Sequence, residues 1–206
     1  MAVTLYDLKP RFQALLRPVA TALARAGFSA NQVTLGAALV SVLVGAVVAW
    51  HALSPRYFLL LPIWFFLRMA FNAIDGIMAR ECNQRTNLGV YLNELTDVIS
   101  DAALILPFAL IAPFGPYSVA LVIFASALSE MAGALAPMVG APRRYDGPMG
   151  KSDRALLFGA LGFYVGVGGA LPNGTFWLMP AVALLIAWNI VNRVRRGVAS
   201  ARPSSS

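Results

Sequence analysis

Charge is scarce in this chain of 206 residues: Asp, Glu, Lys and Arg together make up 12%, against 59% hydrophobic residues. So apolar a composition excludes an ordinary soluble domain and reads as one integral membrane domain. Cysteine is nearly absent too, and Cys82, standing alone, excludes a disulfide within the chain. Nine acidic residues face sixteen Lys and Arg, a net charge of +7. The cations flank hydrophobic stretches and form no basic domain, so no nucleic acid partner is expected; topology and anionic lipid explain them better. No internal repeat and no second domain are visible. Asp7, Lys9, Arg11, Arg17 and Arg25 break up any early apolar core that a signal peptide would need.

What the chain has in abundance is long apolar runs. Crossing a bilayer as a helix takes roughly 20 apolar residues, and six stretches come close: 33–50, 57–79, 88–112, 118–139, 155–171 and 175–192. The sequence therefore predicts an all-α integral membrane fold with six transmembrane helices and both termini on one side. Lys9, Arg11, Arg17, Arg25, Arg80, Arg85, Arg143, Arg144, Lys151, Arg154, Arg193, Arg195, Arg196 and Arg202 all fall on that side, and only Arg56 in a loop on the other. By the positive-inside rule the termini and the 80–88 loop are cytoplasmic, in a bacterial-type inner membrane. Ahead of the first span, Leu5, Leu8, Phe12, Leu15, Val19 and Leu23 recur every three or four residues with cations between them. That pattern fits an amphipathic helix in the cytoplasmic interface, or one packed on the protein's own surface. Ser29-Ala30-Asn31-Gln32 has the form of a capping box and marks the start of the first membrane helix. The expected organisation is an amphipathic helix over 1–28, a membrane domain over 29–196 and a disordered tail over 197–206.

Polar residues gather in one region, from Asn72 to Asp101. Ionisable groups inside a bilayer cost several kcal/mol, so Asp75, Asp97 and Asp101 point to a functional site. At about 100° per residue, Asn72, Asp75, Gly76 and Ala79 share one face of the second span, with Arg80 at its margin. On the third span Gly89, Asn93, Asp97 and Asp101 recur every four residues, with Glu94 on the flank. A short loop makes the two spans antiparallel, so residues whose numbers sum to about 169 share a depth: Asn72 with Asp97, Asp75 with Asn93 or Glu94, Arg68 with Asp101. Oxygen-rich clusters of this kind suit Mg²⁺ or Mn²⁺ together with substrate phosphates. Gly76 and Ala79 let a nucleotide or a neighbouring helix approach the backbone, and Arg80 can pair with a phosphate. The plain alternative for any one of these residues is a helix–helix contact or a packing seam.

Their spacing resembles the signature of the CDP-alcohol phosphotransferase family, D-x-x-D-G-x-x-A-R, eight residues, then G-x-x-x-D-x-x-x-D. Asp75, Gly76, Ala79, Arg80, Gly89 and Asp97 are in register, while Asn72 and Asn93 stand where the family usually has Asp. Ala30-Asn31-Gln32-Val33-Thr34 is similar to the family's P-N-x-x-T, with Ala30 replacing the proline. The resemblance implies that the positions of Asn72, Asp75, Asn93 and Asp97 hold a pair of divalent ions on the diphosphate of a CDP-linked donor. It implies that Asp97 is general base on an acceptor hydroxyl, that CMP is released, and that Gly76, Ala79, Arg80 and Gly89 serve the CDP moiety. Homodimers are common among such enzymes. Each asparagine removes a negative charge, so metal affinity should fall unless Glu94 and Asp101 compensate.

The expected activity is therefore transfer of a phosphatidyl group from CDP-diacylglycerol to a small alcohol in phospholipid biosynthesis. The alternatives are the same fold with a soluble CDP-alcohol donor, a lipid-binding pseudoenzyme, or a cation-coupled transporter. Arg143, Arg144, Lys151 and Arg154 lie in one cytoplasmic loop, and Gly150-Lys151 resembles a G-K element of family members whose acceptor carries a phosphate. An acceptor phosphate is expected there, although positive-inside bias alone would also place cations in that loop. Glu130 can line the cavity or bond a neighbouring helix. Thr34 and His51 read as structural.

Overall fold

The computed structural model describes residues 5–201, with side chains from Phe12 onward. Among them are seven α-helices and no strand: α1 Leu5–Arg25, α2 Ala30–Trp50, α3 Leu60–Glu81, α4 Asn87–Ile105, α5 Pro116–Leu135, α6 Lys151–Gly166 and α7 Leu178–Ala199. Four helical segments are long and apolar enough to cross a membrane, namely Ala30–Trp50, Pro55–Glu81, Pro116–Val139 and Asn173–Ala199. Of the six expected spans the remaining two, at α4 and α6, fall short for visible reasons. α4 has its apolar run broken by Asn93, Glu94, Asp97 and Asp101, and α6 is only 16 residues long. α4 also stops at Ile105 rather than continuing to 112, because Pro107 has no N–H to extend it and a 3-10 turn follows.

The junctions are fixed by side chains. Ser29 Oγ accepts from Gln32 N at 3.2 Å and Gln32 Oε1 accepts from Ser29 N at 2.8 Å, so the expected capping box opens α2. Gln84, between α3 and α4, accepts from Ala30 N at 2.7 Å and donates to Phe28 O at 3.2 Å, which clips that loop to the start of α2. Close backbone contact locks α2 to α4: a Cβ on Gly45 would lie 2.2 Å from the carbonyl oxygen of Ala103. Only glycine permits that approach. One end of the bundle is apolar, built on Phe58, Leu61, Phe108, Val122, Phe158 and Ile186. Polar and charged groups collect at the other.

α1 packs on α3 through Leu16, Ala20, Leu23 and Ala24, around Ile74, Ile77 and Met78. Arg17 adds an exposed ion pair to Glu81 at 2.7 Å. Leu15 and Val19, expected on the same apolar face, point outward and are exposed. The side chains of Leu5, Leu8, Lys9 and Arg11 lie outside the described residues. α7 runs to Ala199, so 197–199 are helical, and residues 202–206 of the expected tail again lie outside the described residues.

Candidate active site

α3 and α4 are joined by the short segment after Glu81, and Thr86 caps α4 by accepting from Gly89 N at 2.9 Å. The antiparallel hairpin that results is packed on α2, and long side chains bridge its two polar faces. Arg68 reaches across it, donating to Asp101 Oδ1 at 3.1 Å and Asp97 Oδ1 at 3.0 Å. The Arg68–Asp101 pair is the one the depth rule expects. Lys151, the first residue of α6, pairs with the same Asp97 oxygen. Asp75 is buried and accepts from Thr34 Oγ1 of α2 at 2.7 Å, and it lies within electrostatic range of Asp97 and Lys151. Four helices thus converge on two carboxylates.

Deeper in the bundle the charges interlock. Arg154 is 1% exposed and donates to Asp101 Oδ2 at 2.8 Å, to Glu130 Oε1 at 2.9 Å and to Met149 O at 3.0 Å. Glu130 also receives Arg193 at 3.4 Å and Arg143 at 3.5 Å, and Arg143 pairs with Glu94. Buried charges are tolerable only when paired, and each of these has an opposite charge beside it, although Glu94 Oε2, Arg143 Nε and Arg193 Nε are buried without a hydrogen-bond partner.

The loop between α5 and α6 is held from below. Arg193 donates to Ser129 O at 2.6 Å, Asn189 Nδ2 donates to Pro148 O at 2.8 Å, and Asn189 Oδ1 accepts from Ser129 Oγ at 2.8 Å. Gly147 takes a φ of +101°, and a Cβ there would press on Asn189 at 3.0 Å, so glycine is required twice over. Asp146 accepts from Arg144 and from Arg196 of α7, both at 2.7 Å. Burial alone would raise its carboxyl, but these two guanidinium bonds outweigh it and hold the group below the usual carboxylate range.

Several sequence expectations change on this geometry. Glu94 and Asp101 are not spare acids that compensate for Asn72 and Asn93: Arg143 takes the first, and Arg68 with Arg154 take the second. Arg154 is not poised at a cavity mouth for an acceptor, because three acceptors inside the bundle hold it. Arg143 and Arg144 are likewise paired, with Glu94 and Asp146. Of the four loop cations only Lys151 touches Asp97. Glu130 is a bonding partner for three arginines. Thr34, read as merely structural, is a direct partner of Asp75, and its place at the end of the A-N-Q-V-T segment was the signal that could have found it. Gly89 has a packing reason for its identity, since a Cβ there would lie 2.6 Å from Asn31 Oδ1. Arg80 lies over Gly76, with its guanidinium 3.1 Å from where a Cβ would sit, and makes no ion pair among the described residues.

Which metal would fit follows from the donors. No group of three or more His, Cys, Asp or Glu side chains among the described residues stands together as a metal cage. Asp97 Oδ1 is committed to Lys151 and Arg68, and one Asp75 oxygen to Thr34. What remains is one oxygen from each carboxylate and the amide oxygens of Asn72 and Asn93. Mg²⁺ and Mn²⁺ are commonly bound by one or two carboxylates plus substrate phosphates, and a donor set of two carboxylates and two amides is of the kind that suits such an ion.

Comparison with known proteins agrees with this architecture. Residues 28–192 match the family model described as CDP-alcohol phosphatidyltransferase. The inner membrane protein YnbA of Escherichia coli (strain K12) is 45% identical over 196 residues, covering 94% of this chain and 96% of its own. Two crystal structures of Mycobacterium tuberculosis phosphatidylinositol phosphate synthase, PgsA1, share the fold. The one with CDP-DAG bound has a TM-score of 0.75 at 21% identity, over 93% of this chain and 96% of that one. The one in complex with manganese and citrate has a TM-score of 0.71 at 20% identity, over 93% and 92%.

Proposed function

The chain belongs to the CDP-alcohol phosphatidyltransferase family, and from that premise we propose that it moves a phosphatidyl group from CDP-diacylglycerol to a small alcohol, releasing CMP. The observation that carries the reading is the meeting of Asp75 and Asp97 with Thr34 and Lys151 at one polar end of an apolar bundle. A lipid donor explains why such a site is built among membrane helices. We read α4 and α6 as completing six spans, with the polar end and both termini cytoplasmic, because Arg80, Arg85, Arg143, Arg144, Arg195 and Arg196 all lie at that end.

Asp75, Asp97, Asn72 and Asn93 would hold the divalent ion, Mg²⁺ or Mn²⁺, which when bound neutralises charge on the donor diphosphate. Gly76 and Ala79 keep the face of α3 low where the CDP moiety approaches, and Arg80, which makes no ion pair among the described residues, binds a phosphate. Lys151 and Arg68 fix Asp97 through Oδ1, leaving Oδ2 to take the proton of the acceptor hydroxyl. The acceptor's hydroxyl oxygen attacks the β-phosphorus, the bond from phosphorus to the CMP oxygen breaks, and CMP leaves with the electron pair. Thr34 holds Asp75 in place. An acceptor phosphate would find three of the four expected loop cations already matched by carboxylates, so the site asks only for a small alcohol.

The test is CMP release from CDP-diacylglycerol by purified protein, with divalent metal and a panel of alcohols, phosphorylated and not. Asp97→Asn keeps an oxygen for Lys151 and Arg68 but removes the base, and should lower turnover about 10²–10⁴-fold. Retained turnover in that variant would overturn the mechanism. A specific observation favours one second reading, a lipid-binding pseudoenzyme: Asn72 and Asn93 halve the formal charge of the four family positions. Donor binding with no CMP release under any metal would establish it.

A further inference from the structure

The second cation of this site is part of the polypeptide: we infer that the ammonium of Lys151 takes the place of one of two metal ions, so that the protein binds a single divalent ion. The inference rests on the transferase reading above for what the site is used for, but its evidence is the charge and geometry of this chain. Asn72 and Asn93 leave two carboxylates, Asp75 and Asp97, at the four family positions on α3 and α4. Lys151 enters from a third helix and sits on Asp97, within electrostatic range of Asp75 as well. Arg68 occupies the same Asp97 oxygen from below.

The formal charges decide the stoichiometry. Asp75, Asp97 and Lys151 together carry one negative charge; one divalent ion turns this into one positive charge, and two ions into three. In a partly buried cavity that excess is strongly unfavourable, because like charges a few ångströms apart repel far more than in water. Acids nearby do not relieve it, since Glu94, Asp101 and Glu130 are each paired with arginine. With only two carboxylates left at the four positions, a Lys151 ammonium seated on Asp97 leaves too little negative charge to hold a second ion.

Mn²⁺ titration of the purified full-length protein, by calorimetry and by electron paramagnetic resonance counting of bound ion, tests this without reference to turnover. Wild type should bind one ion. Lys151→Met and Lys151→Gln should each bind Mn²⁺ at least about tenfold more tightly, Asp97 having lost a competing cation. Lys151→Arg, which keeps the charge, should match wild type. The triple variant N72D/N93D/K151M should bind two ions. A count of zero or two in wild type would overturn the inference, as would unchanged Mn²⁺ affinity in both neutral variants with thermal unfolding showing them folded. Failure of CMP release alongside a count of one would retire the transferase reading and leave the substitution of charge intact; brisk release with a count of two would do the reverse.

Discussion

Asp101 holds arginines from two helices, Arg68 of α3 and Arg154 of α6, and this sharing sets what its loss would do. Removing one partner of a buried pair typically costs about 3–5 kcal/mol, since the other charge is stranded. Arg68→Leu and Asp101→Leu should each lower thermal stability on that scale. The double variant should lose less than the sum, because Asp97 keeps Lys151 and Arg154 keeps Glu130. Unfolding midpoints of the three variants in detergent decide it, and additive losses would mean the pair contributes nothing. Arg68 with Asp101 was legible in the sequence because a short hairpin fixes depth by arithmetic. The partners of Arg154 were not: α6 packs on α3, and Arg154 reaches from it by a long side chain to Asp101 of α4 and Glu130 of α5, an arrangement that leaves no periodic trace in one segment. Thr34 escaped for the same reason, since its partner is 41 residues away on another helix.

At the scale of elements, the loop from α5 to α6 behaves as a strapped cover rather than a free segment. Asp146 is the clasp, tied to Arg144 within the loop and to Arg196 on α7. Its carboxyl titrates lower in the folded protein than in the unfolded chain, so the stability it contributes is present above the ordinary carboxylate range and lost as pH falls through its folded value. Asp146→Asn should therefore unfold at a lower temperature than wild type near neutral pH, and the gap should close below about pH 4. A gap independent of pH would show that the charge of Asp146 is immaterial. Helix starts were readable, as the Ser29 capping box shows; stops were less so. The apolar run after Ile105 reads as one span, and only the missing N–H of Pro107 turns it out of the helix. The loop's fold was hidden entirely, for it is set by Asn189 and Arg196 of a helix that comes later in the chain.

For the whole molecule the open matter is which way the polar end faces. Cys82 is the sole cysteine and lies at that end, just after α3. If the site is cytoplasmic, a membrane-impermeant maleimide should label Cys82 in inside-out vesicles and leave it untouched in intact spheroplasts; the opposite pattern would invert the topology. The ion pairs across the α3–α4 hairpin also bear on how the protein is made. An Asp, Lys or Arg at the centre of a helix costs about 2.5–3.5 kcal/mol on the insertion scale, and α4 carries buried Asp97 and Asp101. Alone, α4 is a poor candidate for transfer from the translocon into lipid. Arg68 precedes it on the ribosome and offers both aspartates a partner, so α3 and α4 are expected to leave the translocon together as one hairpin. Biogenesis of this protein would then have a fixed order, in which the segment that carries Asp97 enters the bilayer with the helix made just before it.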